Sequence, residues 1–290
     1  MKTKWILPSA LALGLVFASC SSSSDKGGEA GSAADLMAQA KAAVDAQHAD
    51  EAIALLDSLT KTFPGEIDLV KEAMLLKPQA VEIQSQQAVT RCDSLIEDAK
   101  RQIDNLRRSM RYVKEPRMID GFWVDSRVYN PRFMDGTGIQ ARVTDIGQFY
   151  IVSSANPGIG HTSVSLSDGS SSVSTGTVPY DGESNYRHGG GEIISFTPEQ
   201  SDTLGYFAAQ GPGRPMTLLM NGRGSKSIRL SAAQTEAIAN AYALAKAMEQ
   251  GRNNEVEKQK QQRRIELARS QRQRLAAGQV KATMPVDSVR

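Results

Sequence analysis

Histidine and cysteine are scarce in this chain of 290 residues, which has three of the first and two of the second. No set of them stands at metal-ligand spacing, and His188 lacks a second ligand near it, so no metal site is expected. Charge of one sign is lacking too. Lys and Arg number 34 against 32 Asp and Glu, a net charge of +2, which leaves no electrostatic ground for nucleic acid as a partner. Long apolar runs are confined to Trp5–Phe17, itself broken by Pro8 and Ser9. That run is shorter than the about 20 residues a bilayer span needs. The glycine-rich segments 157–160, 189–191 and 211–213 lack the Lys-Ser/Thr pair or the strand-to-helix setting of phosphate-binding loops. No cofactor is expected.

What is present begins at the N-terminus. Lys2 and Lys4 precede the apolar run, which ends in Phe17-Ala18-Ser19-Cys20. These residues resemble a lipobox, with Phe17 in place of the usual Leu. The resemblance implies a signal peptide over residues 1–19, a diacylglycerol thioether on the Cys20 sulfur and acylation of the new amine. At about 0.8 kcal/mol per buried methylene, two or more chains hold a protein stably on a membrane. Residues 20–32 are small and polar, a flexible tether. A Ser directly after the Cys resembles lipoproteins sent to an outer membrane. Surface-export tags resemble an acidic cluster at this place, where only Asp25 stands. The expected location is therefore the cell envelope, lipid-anchored at the outer membrane and facing the periplasm, with the cell surface as the alternative. With Cys20 lipidated, Cys92 has no disulfide partner.

Residues 33–113 read as a helical hairpin followed by a long helix. Ala33, Leu36, Met37, Ala40, Ala43 and Val44 recur at helical spacing, and Asp50 is placed to cap a second helix carrying Ala52, Ile53, Leu56 and Leu59. The run "DEAIALLDSL" with Phe63-Pro64-Gly65 resembles one tetratricopeptide-type unit. In the long helix, Cys92, Ala99, Leu106 and Val113 share one seven-residue track and Ile96, Ile103 and Met110 another. Pro78 begins or kinks this helix. The seam needs a partner, and a capping box at Ser231–Gln234 opens a helix over 231–277 with Ile238, Tyr242 and Ala245 to supply it. Past Gly251 the apolar pattern fades, so the basic segment 250–274 is expected to be helical and largely uncovered. Residues 278–290 are expected to be disordered.

Between these helices, residues 114–230 form a β-rich module. Strands are expected over 122–129, 139–146, 148–154, 161–167, 171–178, 192–196, 216–220 and 225–230, with turns at Gly147, Asp168-Gly169 and Asn221-Gly222. Thr197–Gln200 opens a short helix. The fold class is α+β: a helical hairpin and long-helix stalk with an inserted antiparallel β-rich module.

Two segments offer chemistry. Pro157–Gly169, with His161 opening an alternating strand, resembles the Gly-His segment of NlpC/P60-type cysteine peptidases, in which the His activates a thiolate. Cys92 is the only upstream thiol, and its seam position makes it inert packing. No catalytic residue is therefore assigned. Tyr180–Glu192 is the most varied loop, and Tyr180, Asn185, Tyr186, Arg187 and His188 are its candidate binding residues for glycans or peptide ends. The layout resembles Bacteroidota lipoproteins that pair a tetratricopeptide-like hairpin with a small β-rich module. The expected function is a non-enzymatic, lipid-anchored envelope protein displaying that module for protein or glycan contact. The alternative is an envelope hydrolase using His161. Nothing in the sequence sets an oligomeric state.

Overall fold

The computed structural model of the protein describes residues 31–114, 116 and 119–278. The expected signal peptide, Cys20 with nearly all of the tether, and residues 279–290 lie outside the described residues. The fold is α+β: the described residues form five α-helices and two antiparallel sheets, about 52% helix and 22% strand.

The chain opens with α1 (Ala33–Asp45) and α2 (Ala49–Thr62), which pack on the first half of α3 (Ile67–Arg107). Ser32 starts α1 with a reciprocal cap: Asp35 N–H donates to its hydroxyl and Asp35 accepts from its backbone. Leu56 and Leu59 are fully buried, each contributing about 1.5–3 kcal/mol of transfer energy. The cap of α2 falls on His48, two residues before the expected Asp50. The reason is Ala49, which is buried and so drawn into the helix, leaving the Asp50 carboxylate in the first turn to accept from Gln84. Pro78 lies inside α3, which begins at Ile67.

The long helix stops at Arg107 and not at Val113. Met110–Val113 instead forms β1, paired antiparallel with β2 (Phe122–Asp125). Met110 and Val113 fit the heptad spacing, but they also fit a strand that buries Met110 on one face and Val113 on the other. The ladder offered by β2 decides between the two. The β module thus starts at Met110, four residues before the expected boundary.

The last helix, α5 (Ala232–Ala276), runs antiparallel to α3. Lys258 pairs with Asp93, Arg269 and Arg272 with Glu82, and Gly251 lies against Ala99. The segment past Gly251, expected to be largely uncovered, packs along α3 through Gln261, Ile265 and Ala268, all buried. A glutamine and an alanine occupy that seam, so an apolar periodicity does not reveal it. Val256 and Leu267 are the exposed ones. The first half of α5 is buried almost all round, from Ala237 to Met248, because it also supports the β module. Tyr242 packs edge-on against Phe149 of that module, with ring centroids 5.4 Å apart. The expected pairing of Ile238, Tyr242 and Ala245 with the Ile96–Leu106 seam is thus incomplete: these residues share one core with the sheets, against which Ile103 and Leu106 are half-buried.

The module has two sheets. The larger has the order β1-β2-β3-β4-β8-β7, with β3 (Gly138–Thr144), β4 (Phe149–Ala155), β7 (Asn185–His188) and β8 (Gly191–Ser195). The smaller has the order β10-β9-β5-β6, with β5 (His161–Ser167), β6 (Ser172–Ser174), β9 (Met216–Gly222) and β10 (Ser225–Leu230). Their facing residues, with α4 (Pro198–Ala209) and α5, enclose one apolar core. Arg127–Tyr129, expected as strand, follows β2 as a turn, because Arg127 folds back onto the buried Asp125. The final hairpin turns at Gly222–Gly224 rather than Asn221-Gly222. Arg223 and Gly224 N–H donate to Gly160 and Ile159 carbonyls at 2.9 Å, which pulls the turn onto that loop.

Candidate functional site

The two sheets are joined at one end of the core by a polar clasp. His161 opens β5 in the smaller sheet, while Ser153 and Glu192 sit on inward-facing positions of β4 and β8 in the larger. The His161 ring places Nδ1 against Glu192 Oε1 and Nε2 2.8 Å from Ser153 Oγ. All three are buried, at 0–2% exposure.

Glu192 is the centre of this arrangement. Its carboxylate accepts the backbone N–H groups of Ile159 at 3.1 Å, Gly160 at 2.9 Å and His161 at 2.8 Å. Arg187 adds a charged bond at 2.8 Å. Three successive N–H groups can converge because Gly160 holds a φ of +69°, in the left-handed region that favours glycine. Burial pushes the Glu192 carboxyl upward. The bonds from the His161 ring and from the three amides outweigh it and bring the group down to about 2. An ionised carboxylate only accepts, so Nδ1 donates. With a single ring proton, Nε2 then accepts from the Ser153 hydroxyl.

Hydroxyl, imidazole and carboxylate in this order have the connectivity of a nucleophile, base and orienting acid. The setting is not that of a working nucleophile. Ser153 is fully buried between Ile151 and Ala155 on the inner face of a central strand. The three successive amides of Ile159, Gly160 and His161 are spent on Glu192. The clasp instead satisfies the polar groups of a sandwich end and locks the two sheets in register.

The thiol of the peptidase resemblance is not brought to His161. Cys92 is buried in the α3–α5 seam, about 22 Å along the helix from Arg107, where the module begins.

Of the candidate binding residues, Asn185 is buried and structural, donating to the Val178 carbonyl at 2.8 Å. Half of the expected loop is a hairpin, because β7 and β8 pair from Asn185–Ile194 to His188–Gly191. That pairing puts Asn185 and Arg187 on the face of Ile194 and Glu192, where Asn185 is buried and Arg187, near the strand end, stays half-exposed and reaches Glu192, while His188 lies exposed on the other face. Tyr180 is 63% exposed, with the Arg187 guanidinium over its ring. His188 lies 3.3 Å from Asp135, and Tyr186 is half-buried against Met134. Tyr180, Arg187 and His188 therefore form the accessible part, at an edge strand of the larger sheet.

Sequence reasoning singled out His161 but missed Ser153 and Glu192 as its partners. One signal was available: a charged residue in the apolar strand "GEIIS" must either face solvent or find a buried partner. No protein-family model, curated protein or solved structure matches the chain.

Proposed function

We propose that the chain is a lipid-anchored envelope protein without catalytic activity, whose stalk holds the β module away from the membrane to contact protein or glycan. One observation carries this reading. The N-terminus of α1 lies at the end of the stalk opposite the module. Met37 and Ala40 share a cluster with Ala73, Ala43 and Val44 share one with Ala80, and Lys41 pairs with Glu72, so α1 runs alongside the start of α3 in the same direction. Gly31 and Ser32, which end the expected tether, therefore lie at the base. The module follows the far end of α3, whose 41 residues span about 60 Å. A chain anchored at one end and elaborated at the other is suited to display. The sealed Ser153–His161–Glu192 clasp favours no hydrolase reading.

A photo-crosslinking amino acid placed at Tyr180 in the module, or at Lys61 near the base, tests this in intact cells. The display reading expects envelope protein or glycan adducts from position 180 and lipid-associated adducts from position 61. Lipid adducts alone from both positions would refute it.

A further inference from the structure

We propose that the foot of the stalk is itself a membrane-contact surface, where Ile67, Met74 and Leu75 enter the apolar edge of the bilayer. The proposal rests on the lipid-anchored reading and names the residues that meet the lipid. It starts from the register of the long helices. Asp93 pairs with Lys258 and Glu82 with Arg269. Leu75, seven residues before Glu82, is therefore level with Ala276, seven after Arg269, where α5 ends. The first two turns of α3, from Ile67 to Met74, extend past it. The helix stops there because Gly278, at a φ of +66°, donates its N–H to the Leu275 carbonyl and turns the chain off the helix axis.

The uncovered turns continue the face that α5 buries higher up. Eighteen residues make about five full turns of α-helix. Met74 stands eighteen before Cys92 and Ile67 eighteen before Ser85, and both Cys92 and Ser85 are buried. Leu75 stands eighteen before Asp93, the partner of Lys258 on α5. The opposite side of the same turns is filled, with Leu69, Val70 and Ala73 packed on α1 and α2. Ile67, Met74 and Leu75 are left 63%, 38% and 48% exposed.

Position, area and charge single out lipid as the occupant. Gly31 and Ser32 lie at this end, and the twelve residues that follow Cys20, up to Ser32, reach about 40 Å when fully extended. A membrane held within that reach meets the three side chains at high effective concentration, so a small contact suffices. A second copy would need far more: a stable dimer buries about 800 Å² on each partner, and three partly exposed side chains fall well short. Lys61 and Lys71 are matched by Glu66 and Asp68, and Lys71 pairs with Asp68 at 3.5 Å. No excess of positive charge is left to attract anionic headgroups or acidic protein. The attraction is therefore apolar, of the kind that draws exposed aliphatic side chains into the boundary between headgroups and acyl chains. Joined to the acyl chains on Cys20, this contact gives the stalk a fixed foot in place of a swivel.

Full-length lipidated protein on vesicles of zwitterionic lipid provides the test. In a Cys92→Ala background, an environment-sensitive dye is attached at Ile67→Cys, at Leu75→Cys or, for comparison, at Val256→Cys. Val256 is 67% exposed and stands about 30 Å up the stalk from the end of α5. At positions 67 and 75 the emission should shift to shorter wavelength, nitroxide-bearing acyl chains should quench it, and iodide in the water should not. The dye at 256 should behave in the opposite way. High salt and added anionic lipid should change neither result. With the dye at Met74→Cys, the Ile67→Ser/Leu75→Ser double variant should lose most of the quenching by lipid, while its circular dichroism spectrum and urea midpoint match those of the native protein. Dyes at 67 and 75 as open to iodide as the dye at 256, or quenching by lipid that high salt removes, would overturn the proposal. Shielding of both dyes in lipid-free Cys20→Ala protein would overturn it too: independent of concentration, it would assign this face to residues 279–290, and dependent on it, to a second copy. If the dyes stay in water while crosslinkers at position 180 still trap envelope protein or glycan, this assignment falls and the display reading stands. If mass spectrometry finds no lipid on Cys20, both fall.

Discussion

Glu192→Gln is the sharpest perturbation of the clasp. The amide keeps the size of the carboxylate and one acceptor oxygen, but its nitrogen must face donors: the Gly160 N–H and Arg187 where Oε2 lies, or the Ile159 and His161 groups where Oε1 lies. Each buried donor left without an acceptor costs about 1–3 kcal/mol, and breaking a buried charged pair typically costs about 3–5 kcal/mol. Urea unfolding at neutral pH should therefore show a loss of about 3 kcal/mol or more. The pH dependence supplies an independent check. Glu192 is held at about 2 in the fold against an ordinary 4.5. A depressed carboxyl stabilises the protein above its unfolded value, and the effect is lost as pH falls toward the folded one. The shift corresponds to about 3 kcal/mol at neutral pH, more than half of it gone by pH 3. The gap between native protein and variant should thus narrow between pH 6 and pH 3. A loss under about half a kcal/mol, or a gap that stays constant over that range, would refute the account of the clasp.

Two further outcomes follow from the packing. Gly205→Ala should cost about 1–3 kcal/mol by overpacking, read by thermal unfolding, because a Cβ there would stand 2.4 Å from the Tyr242 ring and 2.7 Å from Phe149; a neutral result would mean that α4 moves freely on the core. Cys92→Ala should keep the native circular dichroism spectrum, and the native thiol, buried in the stalk seam, should react with iodoacetamide only after denaturant is added; rapid labelling of the folded protein would contradict its placement.

The fold was readable where one physical signal acted alone. The capping boxes at Thr197 and Ser231 and the left-handed glycines Gly147 and Gly169 all lie where local chemistry places them. It was unreadable where two signals competed. Met110 and Val113 satisfy both a heptad and a strand, and only a partner strand from later in the chain resolves them. The distal half of α5 hides its seam because Gln261 and Ala268 occupy it. The clasp was legible only at His161, since Ser153 and Glu192 reach it through the meeting of two sheets and not through sequence spacing. Asn185, chosen for its polarity within a varied loop, is turned inward by a hairpin that the glycines at 189 and 190 allow, both at positive φ.

The central claim is that the module stands away from the membrane on a stalk anchored at its base. Energy transfer between a dye in the lipid surface and a dye at Tyr180 or at Lys61 tests it directly, in the full-length lipidated protein on vesicles. The account predicts strong transfer from position 61 and a module dye farther from the bilayer by about 60 Å. Equal, strong transfer from both positions would mean that the stalk lies flat on the membrane, and would contradict it.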